Sequence, residues 1–220
     1  MELLGSERQG VVDICRRMAA TGLVVGTSGN VSVRAGDLVA VSPSGLPYED
    51  MTPDLVGVHR LDGTAVQAPL APTTEMPLHL AVYAETGARA IVHTHSVAAT
   101  AVSTLVDVVP SVHYQVASFG GPIRVAPYAT YGTPELAANV VAALSGRTGC
   151  LMSNHGTVAI GRDLAEAFTR ARYLEWLCDV WLRAGSAGAP RLLPDEEIYR
   201  VVEKLRSYGV KHPDATPGPA

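Results

Sequence analysis

The chain has 220 residues, of which 47% are hydrophobic and 17% charged, a composition that excludes a disordered polypeptide. Its 17 basic and 21 acidic side chains give a formal charge of −4 with no block of five or six like charges, which argues against nucleic-acid binding by charge alone. No apolar run approaches the roughly 18 residues of a membrane span, MELLGSERQG has no apolar leader core, and Cys15, Cys150 and Cys178 are spaced as reduced thiols, so a cytoplasmic protein is expected.

A first helix is signalled by Ser6 and Gln9 as a capping box and by Val11, Ile14, Cys15 and Met18 at helical spacing, with Thr21-Gly22 ending it. Asn30–Arg34 and Leu38–Ser42 read as a β-hairpin, and Val56–Arg60 as a third strand before the Asp62-Gly63 turn. A helix is predicted from near Thr74, with Pro77 in its first turn, to about Glu85. Ala90–His95 reads as a strand, Val97–Leu105 as a helix and Ile123–Ala126 as a strand. Thr133-Pro134-Glu135 starts a helix that Gly146 stops. Cys150–Ser153 and Thr157–Gly161 read as strands, Leu164–Ala184 as a long helix, and Asp195 to about Arg206 as the last helix.

Several of these strands are too close in sequence for the dozen or more residues that a parallel crossover needs. A central, largely antiparallel sheet with packed helices is therefore expected, in one α/β domain over residues 1–211 followed by a flexible tail, 212–220.

The sharpest chemical feature is His93-Thr94-His95. On a strand, side chains at i and i+2 share a face, so both imidazoles can approach one ion. His155 lies in a polar turn, Asn154-His155-Gly156, and Glu75 opens a helix upstream. Three histidines and a carboxylate suit a divalent ion such as Zn²⁺. The competing reading is two strand histidines, one merely hydrogen-bonded. His59 and His212 are expected on the surface, and His79 as a packing residue. Three loops are rich in small donors: Gly26-Thr27-Ser28-Gly29-Asn30, Ser42-Pro43-Ser44-Gly45 and Thr73-Thr74. Each could cradle an anion with backbone N–H groups and hydroxyls, or be an ordinary turn; the difference lies in whether they converge.

Taken together, GTSGNVSVR (26–34), SPSGLPYE (42–49), TTE (73–75), IVHTHSVAATAVS (91–103), VHYQVASFGG (112–121), APYATYGTPEL (126–136), NHG (154–156) and LPDEEIYRVVEKLRSYG (193–209) resemble the class II, zinc-dependent aldolase/epimerase family, most of all its L-fuculose-1-phosphate-cleaving branch. The resemblance implies an α/β/α domain with helices on both sheet faces. It implies Zn²⁺, or Mn²⁺ or Co²⁺, held by His93, His95, His155 and Glu75, with Glu75 also the base. Thr27, Asn30, Ser44, Gly45, Thr73 and Thr74 would hold the substrate phosphate. Tyr114 would exchange the proton at the aldehyde oxygen, reaching in from the neighbour in a homotetramer with active sites at subunit interfaces. Tyr131 and Tyr208 would line the aldehyde end. Where the family's fuculose enzymes often read SSE and TPTG, this chain has TTE and SPSG, which keeps each hydroxyl; Tyr131 stands where Phe is common, and the tail after Gly209 falls outside the match.

The reaction so implied is reversible cleavage of a ketose 1-phosphate, with L-fuculose 1-phosphate in first place, to dihydroxyacetone phosphate and L-lactaldehyde through a metal-stabilised enediolate. The chain has two lysines, Lys204 and Lys211, both near the C-terminus, so no Schiff-base lysine is expected at the site. A pentulose-phosphate 4-epimerase, a 5-deoxyribulose or methylthioribulose 1-phosphate aldolase or dehydratase, and a non-enzymatic module like the adducin head are the alternatives.

Overall fold

The computed structural model describes residues 3–206; Tyr208, His212 and the expected tail lie outside them. The helices are α1 (Gly5–Ala20), α2 (Met76–Glu85), α3 (Val97–Ser103), α4 (Pro134–Leu144), α5 (Leu164–Ala187) and α6 (Asp195–Leu205). The strands are β1 (Asn30–Ala35), β2 (Leu38–Val41), β3 (Gly57–Arg60), β4 (Ala65–Gln67), β5 (Ala90–Thr94), β6 (Val125–Ala126), β7 (Gly149–Met152) and β8 (Gly156–Gly161). They form one sheet in the order β4-β3-β2-β1-β5-β8-β7-β6. Among these pairings only β6 with β7 is parallel, with α4 in the connection between them; the rest are antiparallel.

The alternation of each strand decides what covers each face. Val31, Ala40, Ala90, Val92, Leu151 and Ala159 enter one apolar core with residues of α1, α3, α5 and α6. Val39, Val41, Ile91, Cys150, Met152 and Val158 enter a second core with α2 and α4. Helices thus cover both faces, as expected. Each large aliphatic or aromatic side chain buried this way contributes about 1.5–3 kcal/mol, so two such cores stabilise the domain without cross-links, and the three cysteines are free and buried. Among the described residues, no helix is long and apolar enough to cross a membrane.

Three local expectations are corrected. The capping box does not form: α1 starts at Gly5 with Leu4 as its N-cap, Ser6 Oγ donates to Glu7 and Gln9 to Asp13, because Ser6 already lies inside the first turn. The strand β4 and the 3-10 turns Pro53–Leu55 and Tyr114–Phe119 were not anticipated; the three residues of β4 are all exposed and carry no apolar alternation. His59 is buried rather than exposed, because β4 pairs along the outer edge of β3 and the turn places the Gly63 carbonyl 3.3 Å from His59 Nδ1.

The fold positions the site through β5. Asn30 of β1 stands opposite His93, and Val158 of β8 stands opposite it on the other side. The short β7–β8 connection brings β8 so close to β5 that a Cβ on Gly156 would lie 2.1 Å from the Thr94 carbonyl oxygen. Both atoms belong to backbone, so no rotamer change relieves the contact. We therefore expect Gly156→Ala to destabilise the protein by about 3 kcal/mol or more, because the strands must separate, measured as a shift of the denaturation midpoint at unchanged slope.

Candidate active site

Glu75 is the N-cap of α2, immediately before Met76 and Pro77. His93 lies on β5, and His95 one residue past its end, before α3. Two carboxylate bonds hold that exit, as Glu175 of α5 accepts from the Ala98 and Ala99 N–H groups at 2.9 and 2.8 Å. His155 sits in the β7–β8 turn beside Asn154, which has a left-handed φ of 55°. Side chains of α3 pin that turn: Ser103 Oγ accepts from Asn154 N–H, and Thr100 Oγ1 donates to the His155 carbonyl.

These placements bring one ligand atom from each of Glu75, His93, His95 and His155 within 4.8 Å of one another. His93 Nε2 is 2.9 Å from Glu75 Oε2 and 2.9 Å from His95 Nε2, while His155 Nε2 is 3.5 Å from Glu75 Oε1. His93 Nδ1 is 2.8 Å from the Thr157 carbonyl. A carbonyl can only accept, so Nδ1 carries the hydrogen and Nε2 presents its lone pair to the cluster. Glu75 Oε1 is buried without a hydrogen-bond partner. Electron-rich atoms that converge with one of them orphaned fit a bound divalent cation: nitrogen and carboxylate donors at about 2.0–2.2 Å are the usual zinc environment.

The electrostatics agree. Burial would raise the Glu75 carboxyl, but the adjacent His93, the Asn30 amide and His155 outweigh it and hold the group well below the usual carboxylate range. Burial, then the neighbouring imidazoles, press His95 down to about 3 and His155 down to about 4. Both rings are therefore neutral near pH 7, the form in which imidazole binds metal. His93 moves upward instead: burial lowers it, but the Glu75 carboxylate and the Thr157 carbonyl prevail.

The cluster opens on a cleft of about 510 Å³. Thr27, Asn30, Ser44, Gly45, Thr73 and Thr74 all line it, so the three donor-rich loops do converge. Gly29 lets the first loop close on β5, since a Cβ there would lie 2.7 Å from the His93 carbonyl. Asn30 is engaged within the protein: its Nδ2 donates to Thr73 Oγ1 at 3.0 Å and to Glu75 Oε2 at 2.9 Å. Tyr131 is also in the cleft wall. Tyr128 and Asn154, not singled out from sequence, line it as well; their signal was position, Tyr128 three residues before Tyr131 and Asn154 beside His155. Tyr114 is not in this cleft. It is half exposed on the 3-10 turn, stacks on His113, and borders a separate groove with Gln115, Ser118, Tyr173 and Leu193. His79 is fully buried and packed, as expected, but both of its ring nitrogens are hydrogen-bonded.

The sequence profile of the Class II Aldolase and Adducin N-terminal domain family matches residues 9–182. A 5-methylthioribulose-1-phosphate/5-deoxyribulose-1-phosphate aldolase of Rhodospirillum rubrum is 39% identical over 204 residues, 92% of each chain. The L-fuculose phosphate aldolase of Escherichia coli K12 is 39% identical over 204 residues, 91% of this chain and 94% of its own. An L-fuculose 1-phosphate aldolase of known structure superposes with a TM-score of 0.89 at 33% identity, covering 94% of this chain and 98% of the other. The chain belongs to the class II aldolase family and is an aldolase, a carbon–carbon lyase.

The cluster makes a direct prediction. Protein equilibrated with Zn²⁺ should hold about one ion per chain, and His95→Ala should weaken that binding by about tenfold or more while the fold persists. Competition against a chromogenic chelator, with circular dichroism on the same sample, measures both.

Proposed function

We propose that the cleft cleaves a ketose 1-phosphate reversibly between C3 and C4, giving dihydroxyacetone phosphate and a short aldehyde. The observation that carries this reading is the convergence of Glu75 and three imidazoles at a cleft that Glu75, His95 and His155 line together with three hydroxyl-rich loops. His93, His95 and His155, with Glu75 as fourth ligand before substrate arrives, would hold a divalent cation: Zn²⁺ by donor type, with Mn²⁺ or Co²⁺ also able to use such a set. Such a cation supplies Lewis-acid stabilisation of the charge that develops on the three-carbon fragment.

The chain's own groups account for the remainder. Thr27, Ser44, Gly45, Thr73 and Thr74 bind the phosphate. Thr73 Oγ1 already accepts from Asn30 Nδ2 and from the Glu75 N–H, so its own hydrogen is left to donate into the cleft. Asn30 thus serves the phosphate by orienting Thr73. Anchoring the phosphate away from the breaking bond lets its binding free energy position the sugar. Glu75 exchanges the proton at the dihydroxyacetone carbon, and its low pKa keeps it ionised for that task. Among the described residues no lysine lines the cleft, which favours this route over a Schiff base.

Tyr114 handles the proton at the aldehyde oxygen. Its distance from the cleft of its own chain supports supply by a neighbouring subunit, in a four-fold tetramer with sites at the subunit boundaries. Tyr131 sits where the aldehyde would lie. Three buried, unpaired cysteines suit the reducing cytoplasm. For the sugar, L-fuculose 1-phosphate is the leading candidate. A 5-deoxyribulose or 5-methylthioribulose 1-phosphate is the second, favoured by relatives that carry those names.

A panel of these ketose 1-phosphates, assayed for triose phosphate release with and without chelator, tests the reaction. L-fuculose 1-phosphate should give the highest kcat/KM, chelator should abolish release, and isomer formation without release would overturn the reading. Glu75→Gln should lose about 10²-fold or more in turnover; near-normal rates would refute Glu75 as the base. Glu75→Gln and Tyr114→Phe subunits, each deficient alone, should regain activity when reassembled at equal ratio, because about one quarter of boundary sites then combine two intact halves. Absence of recovery in verified mixed oligomers would place Tyr114 outside the neighbour's site.

A further inference from the structure

Below Glu75 runs a chain of buried polar side chains of which the reaction just described uses only Asn30. Tyr83 and His79 of α2 and Ser32 and Asn30 of β1 are all buried. Tyr83 OH lies 2.7 Å from Ser32 Oγ, Ser32 Oγ 2.7 Å from His79 Nδ1, and His79 Nε2 2.5 Å from Asn30 Oδ1. Asn30 Nδ2 then reaches Glu75 Oε2.

The direction of every hydrogen in this chain follows from its last member. An ionised carboxylate only accepts, so the Asn30 amide nitrogen must face Glu75 and its carbonyl oxygen must face His79. That oxygen also only accepts, so the His79 hydrogen is on Nε2. Nδ1 is then an acceptor, Ser32 donates to it, and Tyr83 donates to Ser32. If His79 carried its hydrogen on Nδ1, Asn30 would have to turn its oxygen toward the Glu75 carboxylate. A chain polarised in one sense strengthens each of its bonds.

We infer that His79 is a positioning residue: anchored at Nδ1 by Ser32 and Tyr83, its Nε2–H locks the Asn30 carboxamide, which holds Glu75 Oε2 and leaves Oε1 as the oxygen free to exchange a proton with substrate. The inference rests on the reading of Glu75 as the base. It fits the division between the two carboxylate oxygens, as Oε2 accepts from the Asn30 amide, whereas Oε1 has no hydrogen-bond partner. His79 would touch neither substrate nor cation.

The test is the exchange of solvent hydrogen into dihydroxyacetone phosphate without aldehyde, measured by NMR beside kcat and KM for cleavage, on metal-loaded enzyme. His79→Leu should slow exchange and kcat together by about 10–100-fold with bound metal retained, while KM for the ketose phosphate stays within about threefold. His79→Gln, which keeps a donor for Asn30 Oδ1, should recover most of that loss. Because the effect passes through Asn30, His79→Leu should cost little more once Asn30→Ala is present. Unchanged exchange in His79→Leu, equal loss in the Leu and Gln variants, or fully multiplicative losses with Asn30→Ala would each overturn the inference. Should His79→Leu fail to fold, Ser32→Ala removes the hydroxyl that anchors the His79 ring at Nδ1; it should lower exchange and kcat together, and a normal exchange rate there overturns the proposal equally. Glu75→Gln run alongside separates two failures. Persistent exchange in that variant overturns Glu75 as the base and the His79 role with it. Exchange lost in Glu75→Gln but intact in His79→Leu overturns the His79 role alone.

Discussion

Four electron-rich atoms from three imidazoles and one carboxylate occupy a space less than 5 Å across, and the rest of the site depends on that crowding. Lone pairs do not assemble themselves, so the surrounding backbone must hold them. The sheet does this with pieces that cannot easily give. His93 is on a strand paired on both sides and tied at Nδ1 to a carbonyl of β8. His95 is carried by a helix start that Glu175 clamps. His155 is held in a three-residue connection whose far end is a glycine packed against β5 backbone. Glu75 caps a helix on the face opposite α1, α3 and α5, so the two sides of the cluster come from different layers of the fold.

In the proposed reaction, the same arrangement would let anion binding and proton exchange share one place. The Thr73 hydroxyl accepts from the backbone of Glu75 and from the amide that holds the Glu75 carboxylate. A phosphate bonded to Thr73 would therefore be coupled, through two hydrogen bonds, to the orientation of Glu75. Such coupling is a physical route by which binding energy at one end of a substrate improves alignment at the other. The buried chain from Tyr83 to Asn30 is the opposite support, stiffening the carboxylate from the protein side.

Much of this was legible in the residues. The spacing His93-Thr94-His95, the polar turn around His155 and the carboxylate at a helix start are local patterns with local physical causes. They anticipated the cluster, although His95 lies just past the strand rather than on it. The donor-rich loops were legible as loops, but not their convergence. Other features had no signal. The capping box at Ser6 and Gln9 failed because α1 already begins at Gly5, which puts Ser6 inside the first turn rather than at the cap. The strand β4 is three exposed residues, and its cover over β3 is what buries His59. That Tyr114 lies outside the cleft of its own chain had no signal in its neighbouring residues; only the family resemblance pointed to it.

The amino-acid sequence alone determined the antiparallel sheet, through strands spaced too closely for crossovers, and the identity of the four donors, through residue type and period. Tertiary structure decided what those donors do. Only strand pairing placed Asn30 opposite His93, and only the packing of α2 on β1 brought His79 into hydrogen-bond contact with Asn30. Residue type sets the chemistry a side chain can perform, a property carried along the chain. Which oxygen of Glu75 is held and which is free depends on hydrogen bonds between residues 45 and 49 positions apart, and these exist only once the layers have closed.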